Sequence, residues 1–352
     1  MKVWAIVAHR QPLECVELPD PEPVGTEIVV EVTHCGVCHS DLHMWHGGYE
    51  MGGGRFLSVA DRGLKLPAAP GHEIVGRVAR LGPDASGVAV GDMRVVYPWI
   101  GCGECERCNV GEDNYCLRQR SLGAIVNGGF AKMVKVPHSR YLLEYGGIDP
   151  SLAATYACSG LTTYSAIRKI MPIPSHQAVV LIGAGGLGLA AIAMLRAHGH
   201  NNIVVVDISA DKRQAALDAG ASRTVDGERA DASEALLAGP GAVAAVIDFV
   251  GTNVTAALAM AVLPKGGKYI MVGIGGGEVT LSVSGTIFRA QMIQGSLTGS
   301  LSELRAVLDL ARTGKLAPTP IREMPKHLAN EAMMQLERGE VTGRVVLTDA
   351  AG

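Results

Sequence analysis

The chain has 352 residues, 48% of them hydrophobic, and its 31 basic and 34 acidic side chains leave a formal charge of −3. One hydrophobic core rarely serves a chain of this length, so two domains are expected. The charges are interspersed, which excludes a nucleic acid partner, and no apolar run of about 18 residues is present to cross a membrane.

From Met1 to about Pro150 the apolar runs are short and β-branched, as in 27–32, 74–78 and 93–96, with Gly and Pro between them. This is the pattern of a β-rich domain. It contains Cys38-His39-Ser40-Asp41-Leu42-His43, then Gly71-His72-Glu73, Trp99, and Cys102-x2-Cys105-x2-Cys108-x7-Cys116. Four thiols within fifteen residues are enough for a closed tetrahedral shell, the form of a structural zinc site in a reducing compartment. No spacing rule joins Cys38, His72 and Cys158, and each alone could equally be a packed core residue. Between them lies a glycine-rich stretch, 47–63, where Tyr49 and Phe56, with Trp45 just before, could line a pocket or simply pack.

From about Ser175 the pattern becomes strand, glycine turn, helix. Strand candidates at 178–182, 203–207, 242–249 and 268–272 alternate with helical runs to His198, at 211–219 and at 254–263, which means a parallel sheet with crossover helices. Gly183-Ala184-Gly185-Gly186-Leu187-Gly188 sits between the first strand and its helix, the context in which this turn binds a dinucleotide. Its first glycine permits the bend, the second admits a pyrophosphate and the third lets helix and strand pack closely. Asp207, 19 residues after Gly188, is placed to accept the ribose hydroxyls and to repel a 2′-phosphate, favouring NAD over NADP. A turn without ligand, and an Asp207 that only caps the next helix, are the plainer readings. Helices are expected at 301–313 and 329–338, and a strand at 344–347.

Taken in order, Gly-x-Cys38-His-Ser40-Asp41, Gly71-His72-Glu73, the four-cysteine lobe, Cys158-Ser-Gly-Leu-Thr162-Thr, the glycine turn and Gly343-Arg344 resemble the zinc-dependent medium-chain alcohol dehydrogenases over the whole chain, most closely their tetrameric microbial branch. The resemblance implies an α/β protein with a GroES-like β-rich catalytic domain, 1–155 completed by 296–352, and a Rossmann doubly wound NAD domain, 156–295. It implies two zinc ions per chain. One, catalytic, would be held by Cys38, His72 and Cys158 with Glu73 as an alternative ligand; the other, structural, by Cys102, Cys105, Cys108 and Cys116. It further implies that Asp41 orients His72, that Ser40 and His43 relay the alcohol proton, and that His39 and Arg344 lie near the pyrophosphate. Thr162 would lie near the nicotinamide and Trp99 in the substrate cleft. The expected partner is a small alcohol or aldehyde, and the expected state a cytoplasmic homotetramer, with the run at 268–272 and beyond pairing across a two-fold axis. A zinc polyol dehydrogenase and a zinc-free quinone or enone reductase are the alternatives on the same fold. Position 39 is His where other branches carry Arg, and the stretch 47–63 is longer than in many members.

Overall fold

Val- and Ile-rich runs with both faces to bury make the centre of the second half of the chain. In the computed structural model, which describes residues 1–239 and 241–349, six strands run in the order Arg223–Asp226, Ile203–Asp207, Ala178–Ile182, Val243–Asp248, Lys268–Met271, Met292–Gly295. All neighbours are parallel. Every residue of Ala178–Ile182 is buried, because helices cover both faces. Val179 and Leu181 join the large core shared with the rest of the chain. Ala178, Val180 and Ile182 point into a second core with Val204, Val206 and Tyr269. This strand order reverses at Ala178–Ile182, which opens a crevice at the carboxyl ends of the strands.

The helix expected directly after the first strand is Gly186–Ala197, three residues into the glycine turn, with Gly185 as its extended N-cap. Ser209, not Asp207, caps the next helix, Ala210–Asp218, its side chain accepting from the Lys212 N–H. The expected pairing of 268–272 across a two-fold axis is corrected: Lys268–Met271 is hydrogen-bonded on both sides, to Val243–Asp248 and Met292–Gly295. The free edge on that side is Met292–Gly295. Beside it helix Val283–Arg289 has no buried residue and leaves Ile287 and Phe288 70% and 79% exposed.

The other sheet runs Ile321–Pro325, Arg344–Thr348, Ile28–Gly36, Glu73–Leu81, Met93–Val96, Leu142–Leu143, with Met133–Val136 also on Ile28–Gly36. Ile28–Gly36 extends four residues beyond the apolar run seen in the sequence, and it shifts register between Val29 and Val30 and between Val32 and His34. Those irregularities bend the strand so that its first half pairs with Met133–Val136 and its last with Arg344–Thr348. Residues late in the chain therefore complete a sheet begun near residue 28. The glycine-rich stretch forms a hairpin, Gly48–Glu50 with Phe56–Ser58. Its tip sits against the loop after Lys268–Met271: a Cβ on Gly52 would come within 2.3 Å of Glu278, and one on Gly276 within 3.0 Å of Glu50. Among the described residues no helix is long and apolar enough to cross a membrane.

Candidate active site and metal centres

Cross-strand register assembles the first cluster. Gly36 pairs with Glu73, so Cys38, two residues past one strand end, meets His72, one residue before the other strand begins. Cys38 is the N-cap of helix His39–His46. Asp41, in the first turn and fully buried, accepts the Cys38 N–H at 2.8 Å through one oxygen. Its other oxygen accepts the Gly71 N–H at 2.8 Å and faces His72 Nδ1 at 3.5 Å. One carboxylate thus fixes both loops and the imidazole.

Cys158 arrives from a π-helical turn, Tyr156–Gly160, between helices Pro150–Thr155 and Leu161–Ile170. Such turns occur often at functional sites. The ligand atoms of Cys38, His72 and Cys158 lie within 4.8 Å of one another, all buried, and His72 Nε2 has no hydrogen-bond partner. Leaving a buried ring nitrogen unpaired is costly, about 1–3 kcal/mol. Aimed among two thiols, it fits a metal, and two sulfurs with one nitrogen fit zinc with a position left open. A hydrogen bond with Cys158, together with His72 alongside, holds the Cys38 thiol well below the usual cysteine range.

Glu73 accepts the Ser159 N–H at 3.1 Å and forms an ion pair with Arg344. Burial raises its carboxyl to about 7 against the opposing pull of Arg344. Gly36 is required here, since a Cβ would lie 2.0 Å from the Glu73 carboxylate. Arg344 also explains the glycine at 186: a Cβ there would lie 2.3 Å from Arg344 Cδ. Its stem therefore touches the turn while its guanidinium faces Glu73.

Ser40 Oγ is 3.9 Å from Cys38 Sγ. The His43 ring lies 4.8 Å from that of Tyr49, and burial, with His39 nearby, lowers its pKa below the ordinary histidine value. His39 itself is exposed on the first turn. Trp99 stands 5.2 Å from the His72 ring and donates to the Ala157 carbonyl. Of the aromatics around the hairpin, Tyr49 touches the site. Trp45 instead donates to Gln11, and Phe56 is 49% exposed. Thr162 is buried, and its neighbour Thr163 donates to the Leu187 carbonyl, joining this helix to the glycine turn.

In the turn Gly183 has φ +97°. A Cβ on Gly188 would lie 2.0 Å from the Gly183 carbonyl oxygen, whereas one on Gly185 would meet nothing within 4 Å. Open space over Gly185, at a helix N-terminus, fits a pyrophosphate. The Asp207 carboxylate accepts the N–H groups of Ala184 at 2.7 Å and Ser209 at 2.9 Å. It therefore faces the turn.

The four lobe cysteines form the second cluster, also within 4.8 Å. Cys105 Sγ stands 3.5 Å from Cys108 Sγ and 3.8 Å from Cys116 Sγ, and Cys102 Sγ 4.0 Å from Cys108 Sγ. The N–H groups of Cys102 and Arg118 both donate to Cys116 Sγ at 3.3 Å, as suits a thiolate. Beside the lobe, Asn114 donates to the Leu297 carbonyl and Tyr97 to that of Gly299.

A glycine turn at the carboxyl end of a parallel sheet, together with a buried Cys–His–Cys cluster, points to a nucleotide-dependent dehydrogenase. The alcohol dehydrogenase GroES-like domain matches residues 25–145 and the zinc-binding dehydrogenase domain matches 186–313. The chain is 36% identical over 350 residues to the NAD-dependent alcohol dehydrogenase of Sulfurisphaera tokodaii, covering 99% of both. It is 35% identical over 353 residues to the D-arabinose 1-dehydrogenase (NADP(+)) of Saccharolobus solfataricus, covering 99% of this chain and 97% of that one. The crystal structure of the Aeropyrum pernix alcohol dehydrogenase superposes with a TM-score of 0.89 at 28% identity, over 99% of this chain and 100% of that one. The chain belongs to the zinc-dependent medium-chain alcohol dehydrogenase family. It is an oxidoreductase.

Proposed function

We propose that this enzyme moves a hydride between a primary or secondary alcohol and NAD, with the Cys38–His72–Cys158 cluster holding a catalytic zinc. The unpaired, buried His72 Nε2 between two thiols is the observation that carries the metal assignment. When bound there, zinc supplies a Lewis acid that makes an alcohol acidic near neutral pH. Asp41 keeps the imidazole in the tautomer that presents Nε2. Glu73 is a reserve ligand, kept from the metal by Arg344. The lobe of Cys102, Cys105, Cys108 and Cys116 holds a second, structural zinc, giving two per chain. Residues 1–155 with 296–352 act as the catalytic domain and 156–295 as the NAD domain. Gly183, Gly185, Gly186, Leu187, Gly188 and Asp207 receive the dinucleotide, with His39 and Thr162 near its pyrophosphate and nicotinamide. Trp99 and Tyr49 close the substrate cleft against water. Both complete cysteine clusters stand against a zinc-free reductase, and the complete lobe stands against a polyol dehydrogenase. Eight free cysteines suit the cytoplasm.

Ser40 and His43 carry the alcohol proton outward. Because burial lowers the His43 pKa, its ring is neutral and can accept a proton at neutral pH. With a panel of alcohols, NAD+ reduction by His43→Ala is expected to fall by about 10²-fold near neutral pH. The deficit shrinks as pH rises, and imidazole buffer restores part of it. Wild-type rates between about pH 6 and 9 would show that His43 only packs the cleft.

The assembly we infer is a homotetramer, closed first through the free edge Met292–Gly295 and the exposed apolar helix beside it. An open edge next to exposed Ile287 and Phe288 is an aggregation hazard unless a second copy covers it. Sedimentation at micromolar concentration is expected to give a tetramer, and a monomer would refute this.

A further inference from the structure

Strand Met133–Val136, the segment 120–127 after the cysteine lobe and the chain at 18–21 line a cavity of about 370 Å³. Sites for small ligands run from about 300 to 1,000 Å³. None of the residues of the Cys38–His72–Cys158 site, the glycine turn or the four-cysteine cluster lines it. Its floor is apolar, since Ile100, Leu122, Met133 and Val134 are each 8% exposed or less. No aromatic side chain lines it, so nothing there stacks on a flat ring. Three charged side chains reach the cavity: Glu27, Lys135 and Arg120. Lys135 pairs with Glu27 at 2.8 Å, and the same carboxylate oxygen accepts the Val24 N–H at 3.0 Å. Those two charges cancel. Arg120 is tethered through its backbone N–H, which donates to the Ile100 carbonyl at 2.8 Å. Its exposed guanidinium has no hydrogen bond or ion pair among the described residues. One positive charge is therefore in excess at the rim of an apolar cavity.

We propose that this cavity binds an aliphatic monocarboxylate, its chain on the floor and its head on the Arg120 guanidinium. A guanidinium meets a carboxylate through two parallel charge-assisted hydrogen bonds. A single excess charge beside Glu27 suits a monoanion, whereas a phosphate dianion would bring one charge uncompensated against the Glu27 carboxylate. The unbranched chain gains affinity as it lengthens, by up to about 4-fold for each methylene taken fully out of water. The site needs neither zinc nor a dinucleotide.

The test is titration calorimetry of the full chain with octanoate as the probe. Octanoate is expected to bind the wild-type chain, hexanoate several-fold more weakly, and octanamide, its uncharged analogue, about 10-fold more weakly or worse. Arg120→Glu changes an exposed side chain and leaves the floor intact. It is expected to lower octanoate affinity by about 10-fold or more while octanamide stays within about 2-fold of wild type. Val126→Trp, at the exposed mouth of the cavity, is expected to weaken both probes alike. In Cys38→Ser, where the catalytic metal cannot hold the probe, one octanoate per chain is expected to remain. Octanoate binding that is absent in wild type, unchanged in Arg120→Glu or no stronger than that of octanamide overturns the proposal. Binding lost in Cys38→Ser overturns it as well, by placing the probe on the metal.

Discussion

Cys38→Ser is expected to cut alcohol oxidation by about 10³-fold or more, because a Lewis acid lowers the barrier by several kcal/mol and about 4 kcal/mol is three decades of rate. A serine hydroxyl at this position is far more basic than a thiol held low by Cys158 and His72, so it does not supply an anionic ligand. The zinc content should fall from about two toward one per chain by elemental analysis. The remaining ion stays in the lobe, whose four sulfurs form a separate cluster. Imidazole buffer should rescue nothing, in contrast to His43→Ala. Full activity in Cys38→Ser, or a wild-type zinc content of one with freely alkylated lobe cysteines, would contradict the two-site assignment.

Gly188→Val is expected to weaken NADH binding by about 100-fold and to lower the melting temperature, since overpacking against rigid structure costs about 1–3 kcal/mol or more. The added Cβ would lie 2.0 Å from the Gly183 carbonyl oxygen. That atom is backbone in a turn already at positive φ, so only opening the turn relieves the overlap. Gly185→Ala provides the contrast. Its Cβ meets no protein atom within 4 Å, so it should weaken NADH binding while leaving the melting temperature unchanged. Fluorescence titration with calorimetry separates the two. NADH binding by Gly188→Val within about 3-fold of wild type would mean the close packing is not needed.

Locality decides what a reader of the chain can see. The lobe is legible because its four thiols fall within fifteen residues, and the glycine turn because strand, turn and helix are consecutive. Cys38, His72 and Cys158 meet only because Gly36 pairs with Glu73 and a π-helical turn carries the third residue in. No spacing encodes a cross-strand register, so the residues alone left them ungrouped and only the family likeness joined them. The strand at 28–36 outruns its apolar run because residues 33–36, Thr-His-Cys-Gly, carry no strand pattern of their own and are held by cross-strand pairing. Lys268–Met271 resembled an interface strand because a strand buried by neighbours on both edges and one covered by a second chain are equally apolar.

The pairing of Arg344–Thr348 with residues 34–36 sets an order of events as the chain is made. Cys38, His72 and Cys158 leave the ribosome early, followed by the whole nucleotide-binding sheet. The strand that flanks Gly36, and the Arg344 that neutralises buried Glu73, come only afterwards. Until then residues 34–36 present an open edge, and Glu73 lacks the cation that pairs with it in the folded chain. The sheet that positions the loops of Cys38 and His72 is therefore completed only when the chain returns across some 300 residues, a loop closure whose entropic cost grows only slowly with length.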